Sequence, residues 1–439
     1  MRRLVLLFGL VVATSARAAP GAPSPADGDR LDGREPPQQQ VTVRFVPQVL
    51  FLLPRVVLAV VMTPTAWVAE QAEKRRLYAR LYWAFTADDR QAGLRPELRF
   101  ESGLGIAGGI RYFNRRALGP GSLIQVRGRT GGPGVFFGDV TAGARGIALR
   151  VDGERRDDAT FAGTQGETKE ELRAEGLAIV RYGFDRVGAE LGIARPLPRP
   201  LSAELLFGVA HWAFNDGKPK GDDPTIDRVY CSDCAAGIVD EALVPGFNDG
   251  TRRVRAEVAL ALETREHPRY ASGVAARLAA GWAHGIAGDP SHDVAAAADV
   301  AGTWNMGDRS LGLRLRAGII EPLGDDPVPF VALLGASGRN GIRALRKGRL
   351  RGNSVLVGTA SYRYLVTPNI DFILFVDYGG AFGRWFDGFS TDHLIDAYGV
   401  GLWLFNAKGR YFEGHLLARV EAAWAPGEGF RVAFATSFD

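Results

Sequence analysis

Two cysteines and six histidines are the side chains with the widest chemical reach in this chain, and their spacing limits what they can do. Cys231-Ser232-Asp233-Cys234 has the spacing of half a zinc site, but no second ligand pair follows at zinc spacing. In an oxidising compartment such a pair closes a small-loop disulfide, with zinc as the alternative. His211, His267, His284, His292, His393 and His415 stand apart. None pairs at i,i+4 on a helix or sits beside a Gly-x-Ser-x-Gly elbow, so they read as scattered strand and loop histidines. Ser202 and His211 fall on one predicted strand, nine residues and about 30 Å apart, too far to form a hydrolytic pair. Gly103-Leu104-Gly105-Ile106-Ala107-Gly108 matches a dinucleotide fingerprint in letters. Strand-like GIRYF follows it, with no crossover helix, so a glycine-rich hairpin turn is expected. No cofactor and no metal site are expected.

The elements that carry these residues follow from composition and periodicity. The chain has 439 residues, 46% of them hydrophobic, and a formal net charge of only +4 with no basic run. Nucleic-acid binding is poorly supported, because it needs clustered Lys and Arg. The 56 glycines fit a turn-rich all-β architecture better than a helical bundle, where each would cost roughly 1 kcal/mol relative to Ala. Arg2 and Arg3 precede an apolar run from Leu4 to Ala13, and Ala16-Arg17-Ala18 supplies small residues at signal-peptidase spacing. Residues 1–18 are therefore expected to be a cleaved signal peptide, since the apolar run is too short to span a bilayer. Residues 19–44 read as a disordered linker rich in Pro, Gly, Asp and Gln. Residues 45–92 begin with the most apolar window of the mature chain, Phe45 to Val68, broken by Pro47, Pro54 and Pro64 and charged at Arg55. They are expected to form a short interfacial or lumen-plugging helix rather than a spanning one.

From residue 93 to 439 the periodicity is two, the mark of strands with unlike faces. Val254, Ala256, Val258, Leu260 and Leu262 oppose Arg253, Arg255, Glu257 and Glu263. Leu311, Leu313, Leu315, Ala317 and Ile319 oppose Arg314 and Arg316. Ile370, Phe372, Leu374, Val376 and Tyr378 oppose Asp371 and Asp377, and Leu416, Ala418, Val420, Ala422 and Trp424 oppose Arg419 and Glu421. A soluble sandwich would also alternate. The apolar faces recur strand after strand, however, giving more apolar area than one sandwich core needs. Together with export, this predicts a transmembrane antiparallel β-barrel of the bacterial outer membrane, in contact with its lipid. Allowing about 22 residues for a strand with its share of turns gives about sixteen strands, an even count that suits a bacterial barrel. The chain ends on an alternating aromatic strand, GFRVAFATSFD, with Phe438 next to last. That ending resembles the C-terminal signal of outer-membrane barrels, which usually finishes on the aromatic itself; Asp439 is a departure.

Between Leu333 and Phe382 a more specific pattern appears. Ile342-Arg343-Ala344-Leu345 is followed by Gly348-Arg349-Leu350-Arg351, and a later strand carries Phe375-Val376-Asp377-Tyr378-Gly379. This stretch resembles the late-barrel signature of the BamA/TamA superfamily, the bacterial surface antigen family. There a long extracellular loop folds into the lumen carrying an Arg-Gly-aromatic motif, and a strand carries Phe-x-Asp-x-Gly. Parity alone places Asp377 inward. It leaves open whether Asp377 meets Arg343 or sees only lumen water, with Arg343 a solvated loop residue. The resemblance implies the pairing. Ala344 and Leu345 stand where the family has Gly and an aromatic, so the loop is expected to dock less tightly. Ser361 stands where the family commonly has Glu. Asp158-Ala159-Thr160-Phe161-Ala162-Gly163 is a weaker echo of small members.

The family's assembly members carry periplasmic POTRA domains of about 75 residues. Only about 70 residues separate the predicted signal peptide from the first barrel strand, and they read as linker plus the proline-broken stretch. The expectation is a short member without POTRA domains, working with a separate POTRA-bearing or lipoprotein partner. The resemblance implies a role in outer-membrane biogenesis, inserting or passing client proteins or lipids through a labile seam between first and last strands. The alternative is a passive pore or structural barrel. An outer-membrane phospholipase, with a distant serine completing a pair with His211, is the enzymatic alternative; otherwise no catalytic residue is expected.

Overall fold

The computed structural model describes residues 91–101, 105–163, 179–265, 271–367, 370–405 and 416–436. The predicted signal peptide, the linker, the apolar segment up to residue 90, His267, His415 and Phe438 lie outside the described residues.

Sixteen antiparallel strands close into one barrel. They are β1 (Ala92–Glu101), β2 (Gly105–Asn114), β3 (Ser122–Thr130), β4 (Val135–Ala144), β5 (Ile147–Phe161), β6 (Val180–Pro196), β7 (Leu201–Asn215) and β8 (Thr251–Glu263). The second half comprises β9 (Gly273–Gly285), β10 (His292–Asn305), β11 (Arg309–Pro322), β12 (Ser354–Thr367), β13 (Ile370–Phe382), β14 (Ile395–Phe405), β15 (Leu416–Ala425) and β16 (Gly429–Thr436). The count matches that read from strand spacing, and the glycine-rich Gly105 to Gly108 segment opens β2.

The choice between barrel and sandwich is settled by which face is exposed. In a soluble sandwich the apolar parity would be buried. Here Val258 and Leu260 on β8 are 48% and 52% exposed, and Leu278, Leu313, Val376, Val420 and Trp424 are exposed in the same way. The charged parity is inside: Arg253 reaches Asp293, Arg314 reaches Asp299, and Arg277 lies 2.6 Å from Glu257. An apolar outer band around a charged interior is the wall of a transmembrane barrel, because lipid solvates the first and lumen groups the second. Among the described residues no helix is long and apolar enough to cross a membrane. The protein is a multi-pass outer-membrane β-barrel.

Connections 216–250, 323–353 and 383–394 lie on one rim, and shorter turns such as 145–146 and 306–308 on the other. Long loops mark the extracellular side and short turns the periplasmic side. Loop 216–250 contains a ribbon pairing Cys231–Asp233 with Ile238–Val239, and Cys231 is disulfide-bonded to Cys234. Both cysteines thus lack the free thiolates that zinc needs. The loop packs with loop 323–353 over the upper ends of β5 to β7. There Phe161, Tyr182, Phe247 and Phe330 form a buried core around Phe330, whose ring centroid lies 5.6 Å from that of Phe161 and 5.4 Å from that of Tyr182.

The disulfide closes a very short ring, which restrains the unfolded chain little. Replacing Cys231 and Cys234 together by serine is therefore expected to leave membrane insertion and heat-modifiable gel mobility unchanged. Loss of insertion would make the bridge part of the folding route.

Candidate functional site

The inner faces of β12 and β13, with that of neighbouring β14, carry apolar side chains that belong to one buried cluster. Val355, Val357, Ile373 and Phe375 occupy lumen-facing positions where alternation elsewhere places charges, and all four are buried. Loop 323–353 covers them. Leu334–Gly335 pairs with Arg351–Gly352 to form its neck, and Ile342, Leu345 and Leu350 pack from the loop onto the four strand residues. The lumen therefore holds a hydrophobic core of its own, and burying these side chains is what pulls the loop inward. The signal for this was present in the sequence. Two neighbouring strands that are apolar on both faces need cover on the inside as well as lipid on the outside.

Arg343 projects from this loop onto Asp377. Its backbone N–H and its Nε donate to Asp377 Oδ2 at 3.0 and 2.9 Å, and a terminal guanidinium nitrogen donates to Oδ1 at 2.7 Å. Asp377 is 0% exposed, and it accepts a further hydrogen bond from Thr359 Oγ1 at 2.9 Å, the residue opposite it on β12. The Arg343 guanidinium carbon lies 3.3 Å from the centroid of the Phe375 ring, so the pair is backed by a cation–π contact. Glu421 on β15 is the second carboxylate nearby, 3.7 Å from the guanidinium, while Ser361 contributes only a 3.4 Å contact to the Gly312 carbonyl.

The other motif residues act around this pair. Arg349, 1% exposed on its side chain, donates to Glu428 Oε1 at 3.0 and 2.7 Å in the turn that leads into β16. Arg431 on β16 donates to the carbonyl of Leu345. Gly348 has φ of +88°, and a Cβ there would lie 2.6 Å from the Thr160 carbonyl of β5. Thr160 Oγ1 donates to the Lys347 carbonyl at 2.9 Å, and Arg346 reaches Asp223 at 2.7 Å. The loop consequently bridges the lumen, from β13, β15 and β16 on one side to β5 and loop 216–250 on the other.

The expected loosening at residues 344 and 345 does not occur. The left-handed turns fall at Gly338 and Gly348, so Ala344 needs no positive φ, and Leu345 is 1% exposed. A buried leucine takes the packing role for which an aromatic was expected. Gly379 has no room for a side chain, since a Cβ would lie 2.2 Å from the Leu356 carbonyl.

Gly399 on β14 escaped sequence reasoning. A Cβ there would lie 2.1 Å from the Phe375 ring and 2.6 Å from the Ala422 carbonyl. Gly399→Ala is expected to displace the ring beneath Arg343 and to cost about 1–3 kcal/mol, read as a lower temperature for the heat-modified form. Unchanged mobility would show that Phe375 has other places to go.

Ser202 and His211 sit on opposite faces of β7, His211 turned outward, so they form no pair. His284 and His292 stack across β9 and β10 with ring centroids 4.1 Å apart. Among the described residues no group of three or more His, Cys, Asp or Glu is placed to hold a metal ion.

The sequence matches no protein-family model, and it matches no curated protein. Among solved structures, the barrel is similar to BamA from Haemophilus ducreyi lacking POTRA domains 1–3, with a TM-score of 0.54 and 12% identity. That match covers 79% of this chain and 70% of the other. The chain has the BamA barrel fold. CdiB from Acinetobacter baumannii gives a TM-score of 0.45 at 13% identity over 78% of this chain, and CdiB from Escherichia coli gives 0.47 at 11% over 79%. The chain spans 58% and 63% of those two proteins. In this BamA-type barrel, the inward loop and the strand motif meet on the side of the lumen nearest the junction of β1 and β16.

Proposed function

We propose that this barrel works in outer-membrane biogenesis, inserting or passing polypeptides or lipids, and that its working part is the seam between β1 and β16. One observation carries the reading. β1 is registered with β2 along its whole length, from Ala92 opposite Asn114 to Glu101 opposite Gly105. Among the described residues it shares with β16 only Arg99 opposite Ala435, Phe100 opposite Phe434 and Glu101 opposite Ala433. Below them the backbone of Leu98 is bridged by the Thr436 hydroxyl, at 2.9 and 3.1 Å, in place of a ladder pair. On the side of β1 away from β2, no strand among the described residues is registered against Ala92 to Glu97. Such an edge offers backbone donors and acceptors to an incoming strand.

The lumen loop holds β16 through Arg349 to Glu428 and through Arg431, so the position of the loop and the closure of the seam are mechanically linked. A passive pore fits less well, because the loop bridges the lumen. Client outer-membrane proteins or lipids are the proposed cargo, and a separate periplasmic POTRA-bearing or lipoprotein component is the proposed partner.

The test is a reversible staple. In a chain carrying Cys231→Ser and Cys234→Ser, Phe100→Cys with Phe434→Cys joins two directly opposed residues. The oxidised form is expected to lose the ability to restore outer-membrane composition in cells lacking the protein, and a reductant is expected to return it. Full complementation by the quantitatively oxidised form would exclude the seam.

A further inference from the structure

Immediately behind the seam is a small cavity of about 30 Å³. Its charged lining comes from Arg99 on β1, Arg339 and Arg343 on the lumen loop, Arg419 on β15 and Arg431 on β16, with Glu421 as its one carboxylate. The space exists because the strand positions between these groups carry Ala423, Ala433 and Ala435, whose side chains stop short. Glu421 is already engaged: Trp403 Nε1 donates to it at 3.0 Å, and Arg343 and Arg419 lie 3.7 and 3.9 Å away. Five guanidinium groups thus line one small site beside Glu421; Arg343 is also held by Asp377, and Arg431 donates to the Leu345 carbonyl. Arg431 is 6% exposed, so its charge is held in a setting where an anion is attracted more strongly than in water. Planar guanidinium forks suit the oxygens of a phosphate, which they bind in pairs.

The cavity is also lined by Phe100 and Phe434, the opposed seam residues of the outward, lipid-facing parity. The site therefore has a cationic inner end and an aromatic outer end, joined where, among the described residues, three pairs hold the wall. That polarity matches an amphiphile lying across the wall and not a free ion or an apolar chain.

We propose that this cavity is a binding site for the phosphate of an anionic lipid headgroup, entered through the seam, with the acyl chains left outside against Phe100 and Phe434. The inference rests on the seam reading given above and names a ligand class for it. A small opening of the three-pair junction admits the headgroup, and the arginines replace the water around the phosphate. The remainder of the lipid never leaves the bilayer.

The test is native mass spectrometry of the full chain in a phosphate-free detergent, with phosphatidylglycerol, diacylglycerol or inorganic phosphate added separately. Phosphatidylglycerol is expected to stay bound, and diacylglycerol and inorganic phosphate are not. Arg99→Gln and Arg419→Gln are each expected to lower phosphatidylglycerol affinity on the order of tenfold, the value of one charged hydrogen bond. Ala433→Leu fills the cavity while leaving every arginine in place, and it is expected to abolish binding in a barrel that still shows heat-modifiable mobility. Equal retention of diacylglycerol, or unchanged affinity in all three variants, overturns the site. So does inorganic phosphate binding as tightly as the lipid, or a peptide with a free C-terminal carboxylate binding where the lipid does not. Because this readout is binding alone, its failure leaves the staple experiment standing, and a staple without effect leaves a lipid site with no biogenesis role.

Discussion

Asp377→Ala is expected to weaken the barrel more than any other single change at the lumen loop, by about 3–5 kcal/mol, the usual cost of stripping one partner from a buried ion pair. The carboxylate is wholly buried and accepts from the Arg343 backbone N–H, two nitrogens of the Arg343 guanidinium and Thr359 Oγ1, so its removal leaves four donors without their acceptor. A wet lumen alone would make the pair worth about 1 kcal/mol or less. Burial by the loop makes the difference. Arg343→Ala is expected to be severe as well, since it leaves the carboxylate with Thr359 and one backbone N–H. The double variant is expected to cost less than the sum of the two singles, because each single removes the same interaction. The measurement is the temperature at which the heat-modified form appears on a gel. Strict additivity, or rapid labelling of Arg343→Cys from outside the cell, would place the loop in solvent and sink the lock. Asp377→Asn separates charge from shape: it keeps one acceptor oxygen and is expected to fall between wild type and alanine.

Phe330→Ala carries the second large expectation. Phe330 is fully buried at the start of loop 323–353, and its ring contacts those of Phe161, Tyr182, Phe214 and Phe247 at centroid distances of 5.0 to 6.0 Å. Deleting a phenylalanine from a packed core costs about 3–5 kcal/mol through lost burial and the cavity left behind. This core joins two loops to the ends of three strands. Its loss is therefore expected to free the loops first, with the wall retained by its ladder. Limited proteolysis from the outside should cut between residues 216 and 250 in the variant and spare the wild type, while amides of β9 to β11 stay protected from exchange. Uniform loss of protection around the wall would instead make the cap part of the barrel's global stability. Uncut loops would mean that the remaining aromatic residues hold the cap alone.

Much of the wall was legible because a barrel strand writes its orientation locally. Two residues apart is one face, and the face is decided by its solvent, so Val254 to Leu262 and Ile370 to Tyr378 could be placed outward one residue at a time. Asp377 could be placed inward by the same parity, and Arg343 could be named as its partner only through a resemblance. The reading of Ala344 and Leu345 failed for a different reason. It assumed that the loop must turn where relatives turn, whereas a loop can place its left-handed residues at any glycine that its packing allows, here Gly338 and Gly348.

From local order alone, then, come an all-β wall, its approximate strand number, its lipid-facing parity and the inward carboxylate at Asp377. The tertiary structure decided everything that depends on which distant segments meet. Arg349 finds Glu428 across 79 positions, and Arg346 finds Asp223 across 123. Val355, Val357, Ile373 and Phe375 become a core only because a loop arrives to cover them. The seam is the clearest case: the stagger between β1 and β16 depends on how sixteen tilted strands sum around the barrel, and no window of sequence contains both edges. Periodicity is a property of neighbours along the chain, and closure is a property of the whole ring.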